Sequence, residues 1–181
     1  PARPGRPPAF RPTGQSDLAP AGQRSKLDAN LDTLRVLRAC EAEDRWATTS
    51  EQVVLARWSG WGSVPQVFDD SDERFAAARD ELRDLLGSDE AWAQARRTTL
   101  NAHYTSAPVV TAMWTAVEQL GFDGNGRVLE PGCGSGNFIG FAPARAELVG
   151  VELDPTTAQI ARHLYGARAT MHAEGFEDLR A

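Results

Sequence analysis

The stretch Val128-Leu129-Glu130-Pro131-Gly132-Cys133-Gly134-Ser135-Gly136-Asn137 constrains the fold more than any other part of the chain. A short apolar run ends in an acid, glycine then recurs at every second position, and a helical pattern through Phe138 and Ile139 follows until Pro143. Backbone that must turn sharply, or present its N–H groups to a ligand at close range, needs positions without a Cβ, and Gly132, Gly134 and Gly136 supply them. A second apolar run, Leu148-Val149-Gly150-Val151, ends in another acid, Glu152, 22 positions after Glu130. Asp154-Pro155 then opens a helix with an N-cap and a proline at its first position. That helix carries Ala158, Ile160, Ala161 and Leu164 and stops at Gly166. A third run, Ala169-Thr170-Met171, reads as a weak strand. Strands at 127–130, 147–152 and 168–172 alternating with helices predict a parallel sheet built from βαβ units.

The part upstream is helical. Leu27, Leu31, Leu34 and Leu37 recur at spacings of four and three and mark one face of a helix over about 25–42. Thr49-Ser50-Glu51-Gln52 reads as a capping box of Thr49 with Gln52, opening a helix through Trp58 to Gly60. Further helices are expected over 72–86, ending at Gly87, over 89–97, capped by Ser88, and over 107–120, closing at Gly121. Trp58 and Trp61 stand among small residues before Pro65, and two readings apply: a base-stacking surface, or, favoured, a turn anchored in the core. Residues 1–23 set Pro4, Pro7, Pro8, Pro12 and Pro20 among Arg and Gly. Such a segment propagates neither helix nor strand and is expected to be a flexible linker. Three parts result: the linker 1–23, a helical region 24–100 and an α/β portion 101–181.

The 181 residues are 41% hydrophobic and 24% charged, a globular composition. No apolar run is long enough for a membrane span. With two cysteines, Cys40 and Cys133, there is no disulfide framework, and no secretory leader is recognised. The expected setting is cytoplasmic, and the opening Pro1 reads as a cut from something longer. In residues 1–26, Arg3, Arg6, Arg11, Arg24 and Lys26 stand against Asp17. Of the 19 basic and 25 acidic residues the rest of the chain thus keeps 14 and 24, a charge of −10. A body so acidic does not coat nucleic acid, so DNA contacts need a local patch, the basic tail or adjacent regions.

Two acids at neighbouring strand ends with three glycines between them describe a nucleoside-binding crevice, with Glu152 placed to accept from both ribose hydroxyls. A nicotinamide dinucleotide asks for GxGxxG spacing and a phosphate-friendly loop. The spacing here is GxGxG, and Glu130 ahead of it repels pyrophosphate while suiting a ligand with ammonium and sulfonium groups. S-adenosylmethionine (SAM) is such a ligand.

Residues 128–137 and 149–155 resemble motifs I and II of class I SAM-dependent methyltransferases, and Asn101-Ala102-His103-Tyr104-Thr105-Ser106 before a helix resembles motif X of adenine-N6 DNA methyltransferases. Motif X ahead of motif I is the gamma-type order. Residues 30–178 as a whole resemble the start of large phage and plasmid methyltransferase–helicase proteins. The resemblance implies a Rossmann-like half-sheet, strands 1–3 in the order 3-2-1, preceded by a helical region. It implies that Tyr104 and Thr105 contact the methionine part of SAM. Glu130, Gly132, Gly134 and Gly136 would hold its amino-acid end, and Glu152 its ribose. Glu174 and Phe176 would serve the adenine, with Glu177 or Asp178 as replacements for Glu174. The family's (Asn/Asp)-Pro-Pro-(Tyr/Phe) loop, which positions a flipped base, has no counterpart; the one Pro-Pro is Pro7-Pro8 after Arg6.

The expected function is therefore the cofactor-binding portion of a DNA adenine-N6 methyltransferase, continued by the same polypeptide and by a helicase domain, with no catalytic residue in these 181. A non-catalytic SAM-binding scaffold of an anti-restriction protein, or an RNA or protein methyltransferase, is the alternative. The isolated chain is expected to transfer no methyl and to aggregate through an open strand edge. No metal site is expected: His103, His163 and His172 are scattered, and His163 is expected to be exposed on its helix. Cys133 is read as a small side chain tolerated in the loop.

Overall fold

In this computed structural model the described residues are 5–100 and 103–179. Asn101 and Ala102 of the stretch before Tyr104, and Arg3 and Pro4 of the proline-rich segment, lie outside them. Strands β1 (Gly126–Pro131), β2 (Ala146–Val151) and β3 (Ala169–His172) form a parallel sheet in the order β1-β2-β3. Gly126 stands opposite Ala146, and Leu148 opposite Ala169. β2 is central and buries Ala146, Leu148, Val149 and Val151, so it reads as a continuous apolar run rather than an alternating one. β1 and β3 are the edge strands among the described residues, and Leu129 of β1 is 44% exposed.

Helices α6 (Asn137–Phe141) and α7 (Pro155–Tyr165) carry the chain from strand to strand. α7 begins as its sequence dictates: the Asp154 carboxylate accepts from Thr157 N–H at 2.9 Å, and Pro155 sits in the first turn. His163 departs from expectation. It is 2% exposed, its Nδ1 accepts from Ala47 N–H at 3.0 Å, and its ring meets Trp46 edge-on at 5.3 Å. The reason is that α7 packs on β3 and also on the helical region, through α2 (Thr49–Leu55), so a second face is buried.

In the helical region, α1 (Gln23–Ala42) buries Leu27, Leu31, Leu34 and Leu37 as the spacing predicts. The cap of α2 lies one residue earlier than expected. Thr48 Oγ1 accepts from Glu51 N–H, and the Glu51 carboxylate accepts from Thr48 N–H at 2.8 Å. Arg45 selects this register by forking onto both Glu51 oxygens at 2.6 and 2.8 Å. Its guanidinium, with the Thr48 groups, holds the Glu51 carboxyl down at about 2. α2 stops at Leu55, short of the Trp58 expected. α3 (Ala76–Leu86) ends at a left-handed Gly87, and α4 (Asp89–Arg97) is capped by Ser88. α5 (Ala107–Gln119) leaves Val109, Met113 and Val117 of its apolar set exposed. Trp58 and Trp61 are core residues, 2% and 3% exposed, in edge contact at 5.4 Å. Buried side chains from Leu27 to Met171 make one hydrophobic cluster that runs through both the helical region and the sheet layer.

The proline-rich segment does not behave as its composition predicts. Over its described part it is a docked strap. Phe10 N–H donates to Leu164 O at 2.8 Å, and Gln52 donates to Pro8 O at 3.2 Å. Arg6 donates to Gly166 O and stacks over Trp46 at 3.6 Å. Pro12 packs on Gly140, where an added Cβ would come within 2.9 Å of its ring. Proline and glycine bar regular structure, yet an extended chain can still satisfy its groups one by one against a preformed surface. No helix is long and apolar enough to cross a membrane among the described residues.

Candidate cofactor site

The carboxyl ends of β1 and β2 and the turn after β1 enclose one cleft of about 590 Å³. The turn is anchored by backbone bonds: Gly132 and Cys133 N–H both donate to Val151 O at 2.8 Å. Gly134 and Gly136 are left-handed, at φ 56° and 92°. A Cβ on Gly134 would lie 3.1 Å from the Tyr104 ring, and one on Gly136 would lie 2.6 Å from Tyr165 Cδ2. The loop thus needs glycine for its dihedral angles and for its neighbours alike.

Glu152 accepts one backbone bond on each oxygen, from Gly134 N–H and from Asp154 N–H, each at 2.8 Å, which leaves a second lone pair on each for a ligand. Burial raises its carboxyl against the lowering by these bonds. Glu130 is the less satisfied acid. Its Oε2 is buried with no hydrogen-bond partner among the described residues. Burial first, and the nearby Glu152 charge second, push it up to about 8. Burial likewise raises the Cys133 thiol, with the charges of Glu130 and Glu152 adding to it, which makes it a poor nucleophile. Burial raises the Tyr104 hydroxyl, against a lowering by the Thr157 and Trp58 side chains. Asn137 Nδ2 donates to Thr105 O at 3.0 Å and so fastens the segment before α5 to the head of α6.

Of the residues singled out in the sequence, the cleft brings together Tyr104, Thr105, Glu130, Gly132, Gly134 and Glu152. Gly136 stands behind it, at the N-cap of α6 against Tyr165. Glu174 and Phe176 do not line it: Glu174 Oε1 pairs with His172 Nδ1 at 3.1 Å, and Phe176 is 53% exposed after β3. Further lining residues come from three places. Asn137, the first residue of α6, and Asp154, the cap of α7, lie within the motifs. Leu153, 70% exposed, offers an apolar face beside Glu152. Gln94, Arg97 and Thr98 come from α4 and the turn after it, and no local pattern announces a contact so distant in sequence. A second, apolar groove of about 440 Å³ lies between α5 and β1, lined by Met113, Val117 and Leu129, and shares Glu130 and Gly132 with the cleft.

No family model and no solved structure matches the chain. It is similar to the Type II methyltransferase M.XamI of Xanthomonas campestris pv. amaranthicola, 38% identical over 86 residues, which are 46% of this chain and 15% of that protein. The chain thus spans well under two thirds of that relative's length.

Proposed function

We propose that the chain is the SAM-holding portion of a DNA methyltransferase of the adenine-N6 type, continued by further polypeptide that supplies the target-base loop and, in the largest arrangement, a helicase. The observation that carries the reading is the buried Oε2 of Glu130, without a hydrogen-bond partner among the described residues, in a cleft where Glu152 is already fixed to the glycine loop. A cationic amino-acid end satisfies Glu130, and a pyrophosphate does not. In this fit Glu130 receives the ammonium, Glu152 the ribose hydroxyls, Leu153 one face of the base, and Tyr104 and Thr105 the methionine chain. The bound cofactor would supply a methyl group on a positive sulfur. The residues of this chain hold and orient it, keep the acids close and exclude water. The methyltransferase reading is supported by the similarity to the Type II methyltransferase, and DNA as the substrate and adenine as the target rest on the motif X resemblance of Tyr104-Thr105.

Calorimetry on the full-length protein tests the reading. SAM and S-adenosylhomocysteine should bind, and NADH should not. Glu152→Ala should weaken binding by ~1.5–3 kcal/mol, about tenfold to a hundredfold, through lost bonds to a charged acceptor. Saturable NADH binding that SAM fails to displace would overturn the cofactor, and an unchanged affinity in Glu152→Ala would remove the ribose role.

A further inference from the structure

The glycine loop has little left to offer an anion. Gly132 and Cys133 N–H donate to Val151 O, Gly134 N–H to Glu152, and Gly136 N–H to Cys133 O at 2.9 Å. The α-amino acid end of SAM is a zwitterion, so a carboxylate accompanies the ammonium and needs a donor of its own. The sheet side of the cleft presents Glu130, Glu152 and Asp154, all acidic. Among the described residues lining the cleft, Arg97, in the last turn of α4, is the single lysine or arginine. Its guanidinium makes no ion pair with another described residue, whereas Arg35, Arg38, Arg45 and Arg74 of the same helical region are each paired. A planar fork of donors without an assigned acceptor, on the wall of a cleft whose other charges are negative, matches a carboxylate bidentately.

We propose that Arg97 receives the carboxylate of the ligand's amino-acid end, so that the helical region contributes directly to the site. The proposal deepens the reading of the cleft as a SAM site and rests on it.

The test compares SAM with decarboxylated SAM, which keeps the ammonium, sulfonium and nucleoside and lacks only the carboxylate. In the full-length protein, Arg97→Gln should weaken SAM by about three- to tenfold and leave decarboxylated SAM within about twofold. Arg97→Glu should weaken SAM further and spare, or tighten, decarboxylated SAM. Equal weakening of both ligands, or unchanged SAM binding in both variants, would overturn the role of Arg97 while leaving the cofactor reading intact. A wild-type protein that binds neither ligand would overturn both.

Discussion

Glu130 is held neutral by its surroundings, and that has a measurable sign. A carboxyl raised to about 8 when folded, against an ordinary value near 4.5, keeps its proton longer in the folded chain than in the unfolded one. Between those two values the folded state binds more protons, so its stability falls as pH rises, by at most ~1.36 kcal/mol per pH unit from this one group. Above about 8 the loss is complete and the slope vanishes. Glu130→Gln removes the ionisation. Denaturant titrations from pH 5 to 9 should therefore show the wild type losing stability relative to this variant up to about pH 8 and then running parallel to it. Parallel curves throughout would mean that Glu130 is not desolvated. A bound ammonium pulls the same group towards ionisation, so ligand uptake near pH 7 should release a proton.

The elements show where local chemistry sufficed to read the fold and where it did not. β1, β2 and α7 follow from signals a few residues long: apolar runs ending in acids, an Asp-Pro start, a Gly stop. The site residues attached to those elements, Glu130, Gly132, Gly134 and Glu152, share one cleft for the same reason. The cap of α2 could not be placed from its own residues, because Thr48 with Glu51 and Thr49 with Gln52 are equal in pattern. The difference is Arg45, which holds Glu51 from outside the helix. His163 was illegible because the second buried face of α7 is created by α2, more than a hundred residues earlier. Glu174 and Phe176 stand apart from the cleft, because Glu174 turns to His172 and Phe176 lies exposed after β3.

The α6 turn makes the loop's dependence on glycine testable. Gly136→Ala places a methyl group 2.6 Å from the Tyr165 ring at a φ of 92°. The left-handed penalty of ~1–2 kcal/mol and the forced repacking of ~1–3 kcal/mol should add to a clear fall in the denaturation midpoint. Gly132→Ala, with nothing near its Cβ, should cost the dihedral penalty alone.

At the scale of the whole molecule, the segment whose composition reads as a linker joins three parts of the fold. Arg6 lies on Trp46 and Gly166, Phe10 on Leu164, and Gln15 Oε1 accepts from Ala107 N–H at 2.9 Å, at the head of α5. Leu18 is 2% exposed. Removing residues 1–22 should cost ~3 kcal/mol or more, from hydrogen bonds worth ~0.5–1.5 kcal/mol each and a stacked cation worth ~0.5–2 kcal/mol. A true linker would cost nothing. Thermal unfolding of the truncated and intact chains in parallel decides between the two, and an unchanged midpoint would return the segment to the status of a tether.

The strap also sets an order of events during synthesis. Arg6 and Gly166 are 160 residues apart in sequence, and Phe10 waits for Leu164. This segment therefore leaves the ribosome well before the surface it packs on exists, because α7 has to emerge and pack first. Until then Phe10 and the Arg6 guanidinium are exposed on a nascent polypeptide. Closing so long a loop adds to the entropy lost before any contact is gained. Folding of the intact chain should then finish on a slow phase that reports on Trp46, whose fluorescence changes when Arg6 arrives over its ring.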